Sequence, residues 1–237
     1  MVNPRAPSFI LEAIPYPDFT LATGVLRMKL RSAPVSKTSL RPTVIFDLGG
    51  VLVSVDFMRA CRRLEAVGGA PAAVIREAIA RGEDKLGFDT GRLSPQQFAA
   101  RFCAAIGVRL PYAEFAEIWC DIFAEQWEVT ALLDQIAVKA DLVLLSNTDP
   151  LHLDYVRSHY GFLQKFERML LSYEVGYAKP ARQIFERALA PVTPGTRMIY
   201  FDDVAEFVFS ARACGLPAEQ FVDAAKLRRD LERFGVL

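Results

Sequence analysis

Three apolar runs that each stop at polar, chemically useful side chains constrain this chain most. Thr43–Phe46 runs into Asp47, residues 142–145 (Leu-Val-Leu-Leu) into Ser146-Asn147-Thr148, and residues 198–201 (Met-Ile-Tyr-Phe) into Asp202-Asp203. Parallel strands covered on both faces need such near-continuous apolar runs, because neither side of the sheet meets water. Helical patterns alternate with the runs. Lys179-Pro180 precedes an amphipathic stretch around Ile184, Phe185, Ala188 and Leu189. After Asp203 a helix runs to Cys214 and stops at Gly215, with Pro217 just beyond. Residues 219–222 offer one more short strand before a basic, amphipathic last helix whose Arg228, Arg229 and Arg233 form a solvated face. Alternation of this kind predicts an α/β fold with a doubly wound parallel sheet.

From about residue 57 to 136 the pattern changes to helical throughout, with no strand signal. Ser94-Pro95-Gln96-Gln97 reads as a capping box with proline at the first helical position. Phe98, Phe102 and Ala105 then share a face up to Gly107, and Phe115, Ile118, Trp119, Ile122 and Phe123 form a longer stripe at helical spacing. Trp119 and Trp127 read as core residues of this segment. An all-helical insertion after the first strand is read as a cap over a site at the sheet edge. The expected domains are an N-terminal extension over residues 1–41, a catalytic core over 42–57 and 137–237, and the helical cap over 58–136.

Composition excludes several classes. Lys+Arg and Asp+Glu balance at 28 each, which argues against a nucleic-acid binder needing a basic field. Hydrophobic residues make up 52% of the chain, ample for a buried core. No apolar run approaches the roughly 18 residues needed to span a bilayer. Cys61, Cys103, Cys120 and Cys214 lie far apart, without metal-ligand spacing, and read as reduced residues of a cytoplasmic protein. Residues 1–41 differ from the rest: six basic and two acidic residues give them 6 − 2 = +4, and five prolines interrupt any period. They fit a flexible extension, a start site set ahead of Met28, or an organelle transit segment.

Parallel strands present their carboxyl ends along one edge, so Asp47, Ser146 and Asp202-Asp203 can converge from distant sequence positions. Three carboxylates meeting there repel one another unless a cation sits among them, and Mg²⁺ suits an oxygen-only set. Asp47 is then free to attack phosphorus. Ser146 and Asn147 can donate hydrogen bonds to phosphate oxygens, and Lys179 can offset the charge that spreads over them during transfer. Each of these residues also has a plainer use: Asp47 as a turn residue, Ser146 as cap of the next helix, Lys179 as a solvated helix-start lysine. Asp202-Asp203 could likewise serve as a helix start favoured by the dipole. His152 reads as a surface histidine or a substrate contact, and Asp56 as a helix-start residue or a stand-in acid.

Phe46-Asp47-Leu48-Gly49-Gly50-Val51-Leu52, Leu145-Ser146-Asn147-Thr148, Lys179-Pro180 and Phe201-Asp202-Asp203, in this order, resemble the four motifs of the haloacid dehalogenase superfamily. The resemblance covers roughly residues 42–237. It implies a Rossmann-like core with the inserted helical cap and Mg²⁺-dependent phosphoryl transfer through an aspartyl-phosphate. By position it assigns Asp47 as nucleophile and metal ligand, and the Gly49 carbonyl, Asp202 and Asp203 as further metal ligands. Ser146 and Lys179 act on the phosphate, and Gly50, Asn147, Thr148 and His152 join the substrate-binding set. Asp89-Thr90-Gly91-Arg92-Leu93-Ser94, Leu151-His152 and Gly176-Tyr177-Ala178-Lys179-Pro180 are similar to bacterial sugar-phosphate phosphatases, notably the α-D-glucose-1-phosphate group.

Two positions depart from that family. Gly49 stands where the superfamily usually has Asp as general acid, and Phe207 where it often has Asn. General acid catalysis supplies about 10²–10⁴-fold, so Gly49 is expected to favour weakly basic leaving groups, such as an anomeric oxygen, and to disfavour a phosphomutase. A dehalogenase is disfavoured because it does not need the Lys179 and Mg²⁺ phosphate apparatus. The expected function is a cytoplasmic phosphatase of a small phosphorylated metabolite, monomeric or homodimeric, without nucleic-acid or membrane partners. The alternative is a catalytically silent relative that binds a metabolite or partner.

Overall fold

In the computed structural model, residues 40–237 are described; the expectations for residues 1–39 lie outside them. The chain opens with β1 (Thr43–Phe46), β2 (Val53–Val55) and a helical run: α1 (Phe57–Ala66), α2 (Ala72–Arg81), α3 (Glu83–Asp89), α4 (Pro95–Ala105) and α5 (Tyr112–Cys120). It returns through β3 (Phe123–Glu125), α6 (Trp127–Thr130) and α7 (Leu133–Lys139) to β4 (Asp141–Ser146). Then come α8 (Pro150–His159), β5 (Arg168–Leu171), α9 (Ser172–Val175), α10 (Arg182–Leu189), β6 (Met198–Asp202), α11 (Ala205–Ala213), β7 (Ala218–Gln220) and α12 (Ala224–Phe234).

Five strands form one parallel sheet in the order β5-β4-β1-β6-β7. The chain winds from β1 out to β5, then crosses to β6 on the other side of β1, which places a topological switch beside β1. Alternating side chains supply two separate cores: Val44, Phe46, Leu142 and Leu144 face one helical layer, and Ile45, Val143, Leu145 and Tyr200 the other. Phe46 stacks on its register partner Phe201 at 5.6 Å between ring centroids, tying the two site-bearing strands together. The three apolar runs are strands as expected, and β7 starts one residue before and ends two residues before the residues 219–222 reading. Edge strand β5 escaped the sequence reading: Arg168 and Met169 dilute its apolar run to Leu170-Leu171.

The segment from α1 to α5 builds its own core around Ile75, Phe88, Phe98, Phe102, Phe115 and Trp119. Ser94 and Gln97 form the expected capping box. Four readings of this segment need correction. It is not helical throughout, because Phe123–Glu125 pairs antiparallel with β2 as a two-stranded ribbon at the junction with the sheet. The stripe from Phe115 therefore leaves the helix after Cys120: Ile122 is buried in the turn, and Phe123 belongs to the ribbon. On α4 the buried face continues through Cys103 and Ile106, while Ala105 is exposed. Trp127 is 70% exposed and contributes to no core. The cysteines are all free, three of them buried. Among the described residues no helix is long and apolar enough to cross a membrane.

Candidate active site

At the end of β1 the Asp47 amide donates to Phe201 O (2.9 Å), so β6 holds the first residue beyond the strand. The next turn needs glycine at position 50. Gly50 has φ +77°, and a Cβ there would lie 2.3 Å from the Asp203 carboxylate. That carboxylate packs directly over the Gly50 backbone and is thereby brought against Asp47. Oxygens of Asp47, Asp202 and Asp203 all lie within 4.8 Å of one another. Asp202 is fully buried at the end of β6 and Asp47 nearly so, whereas Asp203 is exposed.

Lys179 is the counter-charge. Its buried Nζ lies 2.9 Å from Asp47 Oδ1 and 2.7 Å from Asp202 Oδ2, with Tyr200 Oη at 3.0 Å and Leu145 O at 3.3 Å. Tyr200 in turn donates to Asp202. The backbone of Lys179 is fixed by Asn147: its N–H donates to Asn147 Oδ1 (2.7 Å), and Asn147 Nδ2 donates to its carbonyl (2.8 Å). Asn147 thus holds Lys179 in place through its side-chain amide, and the same residue lines the cleft at the strand ends. Both recorded contacts on Asp47, from Lys179 and from the Leu48 amide at 2.7 Å, fall on Oδ1. Oδ2 stays clear of them. Burial pushes the Asp47 carboxyl up to about 7 and the Asp202 charge adds to the rise, while Lys179 opposes it. Burial likewise raises Asp203, with Asp202 adding to it. Carboxylates held this way favour a cation among them. The donor set, oxygen-only and partly open at Asp203, fits Mg²⁺.

Asp47 and Asp203 line a cleft of about 440 Å³. Gly49, Gly50, Ser146, Asn147, Thr148 and His152 also line it. The opposite wall comes from the helical segment and the ribbon: Phe57, Arg76, Lys85 and Phe123, with Phe207 of α11 alongside. Those four wall residues were not identified from sequence, because helical periodicity does not say which exposed positions turn toward the sheet. Phe207 sits 5.1 Å from Lys179 Nζ, an apolar neighbour where the family resemblance leads to Asn. A wider groove of about 810 Å³ beside α4 is lined by Cys103, Gly107 and Arg109, far poorer in chemistry than the strand-end cleft.

Two more expectations change, for His152 and Ser146, and the helix-start reading of Asp56 holds. His152 is buried, not on the surface: Nδ1 meets Asp149 Oδ2 (2.9 Å), Nε2 meets Trp119 O (3.0 Å), and the ring stacks on Trp119 at 5.2 Å. Both its nitrogens are committed within the protein. Ser146 does not cap α8, because Asp149 does, accepting from the His152 amide. Asp56 is the exposed N-cap of α1, accepting from the Arg59 amide, and lies outside the cleft lining. Asp149 went unnoticed in the sequence although it is fully buried and also accepts from Trp119 Nε1 at 3.3 Å. Burial raises its carboxyl, but His152 and Lys85 outweigh that and hold it below its ordinary value. This cluster fastens the helical segment to α8.

A family model described as haloacid dehalogenase-like hydrolase matches residues 42–215. The chain is 24% identical over 198 residues to a D-ribitol-5-phosphate phosphatase of Bacteroides thetaiotaomicron, covering 79% of this chain and 95% of that protein. Among solved structures it resembles a haloacid dehalogenase family enzyme of the same organism, crystallised with magnesium and inorganic phosphate. The TM-score there is 0.70 at 23% identity, over 79% of this chain and 98% of that one. A family hydrolase from Porphyromonas gingivalis gives a TM-score of 0.71 at 24% identity, over 83% and 98% of the two chains.

Proposed function

Because this chain belongs to the haloacid dehalogenase-like hydrolases, we propose that it is a Mg²⁺-dependent phosphatase of a small phosphorylated metabolite, a sugar phosphate above all. The observation that carries the reading is the buried Lys179 bridging Asp47 and Asp202, with Asp203 closing an oxygen-only cluster at the sheet edge. Asp47 Oδ2, free of the contacts that pin Oδ1, attacks phosphorus as the bond to the ester oxygen breaks. Lys179 offsets the charge on the phosphoryl oxygens, and Ser146 donates to one of them. Water then attacks phosphorus, releasing inorganic phosphate and regenerating the Asp47 carboxylate. Asp47, Asp202, Asp203 and the Gly49 carbonyl would hold Mg²⁺, which would supply Lewis-acid polarisation of the phosphate.

No side chain at position 49 protonates the leaving oxygen, so esters with weakly basic leaving groups react best. Residues 58–136 serve as the cap that walls off this cleft from solvent. The test is a panel of phosphate monoesters with and without Mg²⁺, including matched sugar 1- and 6-phosphates. Mg²⁺-dependent release of phosphate, faster from the 1-phosphates, is expected. Equal rates on the two would remove the leaving-group argument, and turnover undiminished by chelation would remove the metal.

A further inference from the structure

Among the side chains that line the cleft, those of the helical segment and the ribbon offer hydrogen-bond donors and no carboxylate. Arg76 and Lys85 are the charged side chains of this wall, Phe57 and Phe123 the apolar ones, and the His152 nitrogens are already taken by Asp149 and the Trp119 carbonyl. The carboxylates that line the cleft are Asp47 and Asp203, both members of the cluster able to hold a metal ion. The two cations of this wall are not equivalent. Lys85 is paired with Asp89 within its own helix, both side chains mostly shielded, and its charge also acts on buried Asp149, so it is already engaged within the protein. Arg76 is exposed, rests 5.7 Å above the Phe57 ring, and among the described residues has no carboxylate at ion-pair distance.

A neutral polyol presents O–H donors as well as acceptors, and its donors find no side-chain acceptor on Phe57, Arg76, Lys85 or Phe123. A carboxylate presents acceptors alone and matches a guanidinium in a bidentate fork. The volume of about 440 Å³ lies in the range of small-ligand sites, with room for a phosphate and a short carbon chain. We propose that the substrate is a phosphate monoester whose far end carries a carboxylate, and that Arg76 is the residue that selects it. This rests on the phosphatase reading and narrows its substrate class.

The experiment measures kcat/KM on matched pairs that differ only in a distal CH₂OH or COO⁻: ribitol and ribonate 5-phosphates, and glucose and glucuronate 1-phosphates. Leaving groups are the same within a pair, so position 49 cancels from the ratio. The carboxylate member should be favoured about tenfold, the order expected for a partly exposed charged hydrogen bond. Arg76→Ala should bring the ratio close to one and Arg76→Lys keep part of it, since an ammonium retains charge but not the fork. No preference within either pair, or a preference that survives Arg76→Ala, would overturn the proposal. That second result includes a general loss on both members, as rim steering of any phosphate produces. p-Nitrophenyl phosphate is assayed beside them: failure of Mg²⁺-dependent hydrolysis there sinks the phosphatase reading itself, separately from the selection by Arg76.

Discussion

Replacing Gly49 by aspartate puts a carboxyl where leaving-group protonation is missing, and the surroundings set what it costs. Gly49 does not adopt the left-handed backbone that excludes side chains, unlike Gly50 beside it. A Cβ at 49 meets Val55 Cγ2 at 3.2 Å, a contact that needs a few tenths of an ångström of relief. Val55 is only partly buried at the ribbon, so the destabilisation belongs near the lower end of the usual overpacking range, about 1–3 kcal/mol. Neighbouring Asp47 and Asp203 favour the protonated form of a new carboxyl, as a general acid requires. On an alkyl phosphate, whose alkoxide leaves poorly, kcat should rise toward the about 10²–10⁴-fold that acid catalysis supplies. On p-nitrophenyl phosphate, which needs no proton, the rate should hardly move. Steady-state kinetics on the two esters, with thermal melts to check folding, give the diagnostic alkyl-to-aryl ratio. Val55→Ala in the same chain relieves the contact. If both the single and the double variant fold and the ratio stays put, the reasoning about position 49 is refuted.

Lys179→Ala should lower kcat by about 10²–10³-fold and, without metal, destabilise the fold by about 3–5 kcal/mol, since it strands buried Asp47 and Asp202; chemical denaturation with and without Mg²⁺ measures the second. Asn147→Ala, which frees the Lys179 backbone, should cut kcat about tenfold with little change in KM, and initial-rate kinetics separate the two. Asp149→Asn tests the clasp between α5 and α8. The folded carboxyl titrates below its ordinary 3.8, so its stabilisation is complete above that value and is lost as pH falls through the depressed one. Unfolding free energies from urea titrations should therefore drop for the variant at neutral pH, by about 1–3 kcal/mol, with the difference shrinking below pH 3.8.

The strands that carry chemistry were legible because burial on both faces forces long apolar runs, and these end at Asp47, Ser146 and Asp202. The sequence order of Asp47, Lys179 and Asp202 does not contain their 2.7–2.9 Å contacts, but parallel strand ends leave few other arrangements. What sequence missed is what depends on tertiary neighbours. β5 borrows its register from β4, so Arg168 and Met169 can stand in it without an apolar signal of their own. Phe123 fits a helical stripe in spacing, yet pairing with Val55 makes it a strand. Trp127 is large and apolar but sits where no partner covers it. His152 and Asn147 matched motif positions, and His152 Nε2 and the Asn147 amide face protein groups that lie 33 and 32 residues away. The cleft wall of Arg76 and Lys85 was invisible because an exposed face of a helix has no sequence mark for the direction it looks.

The most direct test of the central claim is ¹⁹F NMR of the protein with beryllofluoride and Mg²⁺, which mimic the phosphorylated carboxylate. The account predicts a bound fluoroberyllate resonance in the wild-type chain that requires Mg²⁺ and vanishes in Asp47→Asn, together with loss of phosphatase turnover in that variant. A wild-type chain that gives no bound signal, or an Asp47→Asn variant that still hydrolyses phosphate esters, would contradict Asp47 as the nucleophile.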